Sequence, residues 1–168
     1  FLRHHDGLAY VTTDGVINAT DITVDVPPTL GRYRFGTATA NLAHAAETAL
    51  QFFALAPTPG VGTACLAAVA LAIVGHFAPV DFALMFTGRP GRRKSTVAAL
   101  VLSHFGRFTY RDLPATFEST RAALELLVHT AGDVVLAIDD FVPRRPDDEV
   151  IKKAQALDSG LVATIGAV

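Results

Sequence analysis

Apolar and polar positions change rhythm several times along this chain. Between Tyr10 and Arg34, β-branched and polar residues alternate (Val11, Thr12, Thr13; then Ile22, Thr23, Val24, Asp25, Val26) around Thr13-Asp14-Gly15. That pattern predicts two or three short strands with a β-turn between them. Pro27-Pro28 ends the run. From Thr39 to Leu55 apolar residues recur at helical spacing (Leu42, Ala45, Ala46, Ala49, Leu50, Phe53) until Pro57, Pro59 and Gly60 break it, and a second helix is expected from about Gly62 to Phe77.

From Asp81 the rhythm becomes that of a parallel sheet. Phe82-Ala83-Leu84-Met85-Phe86 is a short, nearly all-apolar run, read as a strand buried on both faces, and it passes directly into a glycine loop. Ser95 to Phe105 reads as a helix (Val97, Leu100, Val101, His104) closed by Gly106. Glu118 to Thr130 reads as another (Ala122, Leu124, Leu127, Val128), with Ser119 or Thr116 as its N-cap, and Gly132 stops it. Val134 to Ile138 is a second all-apolar strand ending in Asp139-Asp140, and Glu149 to Leu157 reads as a polar helix. The alternation predicts an α/β fold with a parallel sheet flanked by helices. It divides into a short β-rich segment (1–36), a helical region packed on the core (37–80) and an α/β core (81–168) incomplete at its C-terminus.

Composition narrows the partners. The 168 residues are 51% hydrophobic and carry 14 basic against 16 acidic side chains, the content of one ordinary α/β domain without a global cationic field. Any nucleic-acid contact has to be local. The single cysteine, Cys65, lies in an apolar run, which excludes a disulfide framework and a Cys-based zinc site and is read as a buried small hydrophobe in a reducing, cytoplasmic setting. Phe1 to Asp6 has no signal-peptide character, and the stretch Val61 to Val80 contains Gly75, His76 and Pro79, so a buried core helix is expected there and no membrane span. The chain opens at Phe1 and ends at Val168 after the apolar string Leu161 to Ile165, and both ends read as cuts.

Gly88-Arg89-Pro90-Gly91-Arg92-Arg93-Lys94-Ser95-Thr96 lies between the first apolar strand and a helix, and is a degenerate match to the phosphate-binding pattern G-x-x-x-x-G-K-[ST]. A polyphosphate is best held by backbone N–H groups converging at a helix N-terminus, so the loop needs permissive residues, here Gly88 and Gly91. Lys94 supplies a mobile charge for the β- and γ-phosphates, and the Ser95 hydroxyl is placed to coordinate magnesium. Arg93 stands where glycine is expected, so its side chain must point away or the loop must curl differently. Arg92 and Arg93 add positive charge beside the phosphates. At the second strand, acids leave the carboxyl end, where open α/β sheets put their ligands. Asp139 is read as a magnesium ligand, directly or through water, and Asp140 as the group that orients or deprotonates the attacking water.

Phe86 to Ser95, Leu113 to Glu125 and Ala131 to Phe141 together resemble the ATPase domain of phage- and mobile-element-type primase-helicase proteins, P-loop ATPases related to the ring helicases. The similarity covers about Asp81 to Arg145. It implies ATP with magnesium at Gly88 to Thr96, Asp139 and Asp140, in service of DNA replication or element mobility. It also implies a motor assembled as a homo-oligomer on single-stranded DNA. In that family the residue before the loop lysine is often not glycine. A sensor residue and an arginine finger are expected beyond the acidic strand and outside this chain, since Arg144 and Arg145 read as a solvated turn.

Two other readings share the loop. A small-molecule kinase would want an acceptor pocket and a lid of arginines, whereas Arg107, Arg111 and Arg121 are spread over a loop and a helix. A nucleotide-binding fragment without turnover, acting as an interaction module, fits Arg93 and the mean hydropathy of +0.38. The six histidines (His4, His5, His44, His76, His104, His129) show no metal spacing and are read as surface or satisfied core residues. Ser103, His104 and Ser119 form no nucleophile elbow. Glu118 is read as an acid favoured at a helix N-terminus, with reach to the nucleotide site as the alternative.

Overall fold

The computed structural model describes residues 2–5, 7–34, 41–55, 60–77, 83–142, 149–156 and 162–166. Strands β1 (Leu2–His4), β2 (Gly7–Thr12) and β3 (Gly15–Ile17) form an antiparallel meander in that order. Its second turn falls at Thr13 and Asp14, between the paired Thr12 and Gly15. The Thr12 hydroxyl closes it, donating to the Gly15 carbonyl at 2.9 Å and accepting the Asp14 N–H at 3.2 Å. The run Ile22 to Val26, expected as a strand, is not one. Its alternation still shows, with Ile22, Val24 and Val26 half-buried and Thr23 and Asp25 exposed. An extended chain can thus lay its apolar side down without joining a ladder, and the proline pair turns it into a 3₁₀ helix at Pro28–Leu30.

Helix α1 (Leu42–Leu50) starts at Asn41, whose Oδ1 accepts the His44 N–H at 2.9 Å, and tightens into a 3₁₀ turn at Gln51–Ala54. Thr39, Ala40, Pro57 and Pro59 lie outside the described residues. Helix α2 (Val61–Val74) buries Gly62, Cys65, Ala68, Val69 and Ala72, a stripe at i, i+3, i+4 and i+7 spacing whose small side chains let it pack closely on the next helix. Burial pushes the Cys65 thiol up to about 11, so it stays protonated and acts as a small hydrophobe. Among the described residues no helix is long and apolar enough to cross a membrane.

The remainder is mixed α/β. Strands β4 (Ala83–Phe86), β5 (Ala115–Thr116), β6 (Leu136–Phe141) and β7 (Val162–Gly166) alternate with helices α3 (Lys94–Leu102), α4 (Arg121–Ala131) and α5 (Glu149–Ala156). They form one parallel sheet in the order β4-β7-β6-β5. The chain crosses from β4 to the far edge at β5 and returns through β6 and β7. The right-handed rule for parallel crossovers then puts α3 on one face and α4 and α5 on the other. Helix α3 lies against β6 and β7 and also packs on α2.

Several expectations are corrected here. β4 is an edge strand with Met85 44% exposed, so it is not buried on both faces; β6 is, with Leu136, Ala137 and Ile138 all enclosed. Asp81 and Phe82 lie outside the described residues. The apolar string near the C-terminus, not assigned to an element from its pattern, supplies β7 between β4 and β6. β5 is too short to carry a periodic signal. Thr116 belongs to it, and α4 begins at Arg121 under a Thr120 cap whose hydroxyl accepts the Ala123 N–H at 3.3 Å. α3 ends at Leu102, three residues earlier than its pattern suggested.

One apolar core joins these parts, with Leu30, Tyr33, Phe52, Leu102, Phe117 and Ile138 among its members. The buried Tyr33 hydroxyl donates to the Val135 carbonyl at 2.8 Å across 102 residues of chain, tying the segment after the meander to the start of β6. Its burial raises the phenol pKa well above the ordinary value, so the group remains a donor. Tyr33→Phe removes this bond and is expected to lower the free energy of unfolding by about 1–2 kcal/mol. Urea denaturation checks it; an unchanged midpoint would show that the bond adds nothing.

Candidate functional site

The loop from Thr87 to Arg93 joins β4 to α3 at the carboxyl end of the sheet. Gly88 and Gly91 have φ of 147° and 77°, conformations that side chains resist, which explains glycine at both. Arg93 precedes the helix with φ 57° and ψ 29°, the left-handed conformation a glycine would adopt. The loop therefore keeps a glycine-like curl at this residue, at a cost of about 1–2 kcal/mol. Arg93 is exposed and lines the cleft below.

Lys94 folds back over this loop. Its Nζ donates to the Gly88 carbonyl at 2.7 Å and the Arg89 carbonyl at 3.2 Å. The ammonium thus sits inside the curl of its own loop, beside the first turn of α3, where helix N–H groups and the helix dipole add positive potential. One residue on, the Ser95 hydroxyl donates to Asp139 Oδ2 at 3.0 Å. The other carboxylate oxygen of Asp139 accepts the Asp140 N–H at 2.8 Å, so both oxygens are held.

Strand β6 bends at this point. Ile138 pairs with Thr164 and Phe141 with Gly166, three steps on β6 against two on β7. The extra residue makes a bulge in which Asp140 takes φ 60° and its side chain stands exposed at the cleft. The two acids, read as the end of the strand, lie in its last three residues, and the bulge gives them different surroundings.

Residues 90–96, Tyr110, Asp139, Asp140 and Val142 line a cleft of about 490 Å³. Gly88 and Arg89 are outside this lining and offer their carbonyls to Lys94. All the residues singled out from the sequence for phosphate, metal and water thus gather at the carboxyl ends of β4 and β6. Arg144 and Arg145 lie outside the described residues. Tyr110 and Val142 join the cleft without any sequence signal; Tyr110 comes from the long turn between α3 and β5, with the Arg111 guanidinium 5.3 Å from its ring centre.

Glu118 is the residue whose reading changes most. It is not in the first turn of α4, which carries no acid, but in the turn after β5. Thr116 is in register with Asp139, and the Phe117 N–H donates to the Asp139 carbonyl at 2.9 Å. That pairing brings the exposed Glu118 within electrostatic reach of Asp140. Partial desolvation first, then the Asp139 and Glu118 charges, raise the Asp140 pKa above the ordinary carboxylate value. The signal was hidden because a two-residue strand leaves no periodicity.

A second cavity, of about 420 Å³, lies near the opposite end of β6, where Tyr10, Leu30, Tyr33, Phe105 and Asp133 border it. Among the described residues its lining contains no Lys or Arg. No family model, curated protein or solved structure matches the chain.

The raised Asp140 pKa has a direct consequence. Between the ordinary carboxylate value and the raised one, the folded state holds more proton than the unfolded state, so stability falls as pH rises through that window. Asp140→Asn is therefore expected to raise the melting temperature at neutral pH, with the gain vanishing below about pH 4. Thermal melts across that range check it; a gain that persists in acid would assign the effect to something other than ionisation.

Proposed function

We propose that this cleft binds ATP with magnesium and hydrolyses it, and that the chain serves as a motor domain working on single-stranded DNA as a homo-oligomer. The observation that carries the nucleotide reading is the contact between Ser95 and Asp139. A hydroxyl at a helix start and a carboxylate from another strand converge within hydrogen-bond distance, beside a lysine folded into a glycine loop. A hydroxyl and a carboxylate are the hard oxygen donors magnesium takes, and both face a cleft with room for its waters. The donor set therefore fits the ion, which when bound offsets negative charge on phosphate oxygens.

The chain's own residues account for the rest. Backbone N–H groups of the loop and of the first turn of α3 bind phosphate oxygens, and Lys94 exchanges the Gly88 and Arg89 carbonyls for them. Arg92 and Arg93 add charge at the rim. Asp140, more basic than an ordinary carboxylate, accepts a proton from water, and Glu118 beside it sustains that basicity by repulsion. Arg121, one of the arginines a kinase lid would need, is paired with Glu125 on α4 at 2.6 Å. The DNA and oligomer parts rest on the resemblance of Phe86 to Ser95, Leu113 to Glu125 and Ala131 to Phe141 to primase-helicase ATPase domains.

Equilibrium binding of ATP with magnesium tests the site. Lys94→Ala and Asp139→Asn are each expected to weaken it by roughly tenfold to a hundredfold, the loss of a charge-assisted contact. A folded chain that binds no nucleotide would end the proposal. Turnover is a separate measurement: Asp140→Asn and Glu118→Gln are expected to keep binding while lowering kcat by about 100-fold or more for Asp140 and less for Glu118. Phosphate release accelerated by single-stranded DNA supports the motor, and binding without any release favours the interaction module.

A further inference from the structure

The meander at the start of the chain carries a second cluster of ligating groups, remote in sequence from the phosphate loop. His4 ends β1 and pairs with Gly7, so only two residues connect β1 to β2. A two-residue hairpin demands positive φ, and His5 supplies it at 47°. That conformation brings the two adjacent imidazoles together, with ring centres 4.1 Å apart and planes at 61°. In a regular strand, neighbouring side chains would point to opposite faces.

Asp21 reaches the same place from the far side of the meander. After β3 the chain reverses at Asn18, which has φ 70° and whose Nδ2 donates to the Leu8 carbonyl at 2.9 Å. The return lays the Asp21 carboxylate against both rings. His4 Nε2 lies 2.9 Å from Oδ1, and His5 Nε2 lies 4.0 Å from Oδ2. All three ligating atoms fall within 4.8 Å of one another.

We propose that His4, His5 and Asp21 form a binding site for a zinc-class divalent cation. Two imidazoles and one carboxylate are the donors such an ion takes, with the fourth position left to water. Around tetrahedral zinc the donors stand roughly 3.3 Å apart. The His4 contact opens slightly to meet this and the His5 contact closes. The adjustment falls on the His5 ring, whose side chain is 80% exposed and free to rotate, while the His4 ring, 21% exposed, forms the fixed wall. The ion would clamp the β1–β2 turn to the segment after β3, stabilising the meander by binding the folded state alone. Because Asp21 is far from His4 and His5 in the chain, ligand spacing in the sequence does not reveal the site.

The test is calorimetric titration of the whole chain with Zn²⁺ in excess Mg²⁺, which keeps Asp139 and its neighbours from competing. Co²⁺ absorption then reports the coordination. One saturable site is expected, with a rise in melting temperature. Asp21→Asn and, separately, His5→Gln should weaken binding at least about tenfold and abolish the rise, while exposed His129→Gln changes neither. Absence of saturable binding by the folded chain, or equal binding by the wild type and both variants, overturns the assignment.

Discussion

Pairing of β7 between β4 and β6 sets the geometry on which the site depends. Neighbouring strands lie about 4.8 Å apart, so one intervening strand holds the loop-bearing strand and the acid-bearing strand roughly 10 Å from each other. Phe86 is level with Ile165, and Phe141 with Gly166, so both strands end at the same height. The first turn of α3 spans that gap and lets Ser95 reach Asp139.

Unfavourable backbone conformations gather around the cleft. Among the described residues, two of the four non-glycines with positive φ, Arg93 and Asp140, are at its rim, and the other two are at the meander. Each is held by its surroundings. The Arg93 carbonyl accepts the Val97 N–H at the start of α3, and the Asp140 N–H is taken up by Asp139. Strain of this sort persists where neighbouring structure overdetermines it, and it accompanies sites more often than plain turns. Charge is arranged in the same way, with arginines and Lys94 along the loop and Asp139, Asp140 and Glu118 facing them. Partial burial, and after it the neighbouring Asp139 and Glu118 charges, raise the proton affinity of Asp140.

The remainder of the molecule supports this end of the sheet from behind. Tyr33 and Phe52 enter the same core as α2, α3 and β6, so the early segments pack on the sheet even though the meander forms a sheet of its own. Helix α1 has no buried residue and owes its start to the Asn41 cap. The two clusters of ligating groups, one at the meander and one at the cleft, share no residue.

Periodicity and punctuation made the local elements legible. Helices α2 to α5, strand β6, the turn at Thr13 and Asp14, and the loop from Gly88 to Thr96 all follow from short stretches whose residues act on neighbours within a turn or two. Tertiary structure decided what depends on partners far along the chain. The apolar string at the C-terminus became an interior strand because β4 and β6 presented edges to it, while the equally apolar β4 was left at an edge. The alternating Ile22 to Val26 found no ladder. β5 exists only through its pairing with β6, and with it the position of Glu118 beside Asp140. A sequence carries propensity and pattern, which are local. Register, edge and the meeting of distant side chains are set by which surfaces the folded chain brings together.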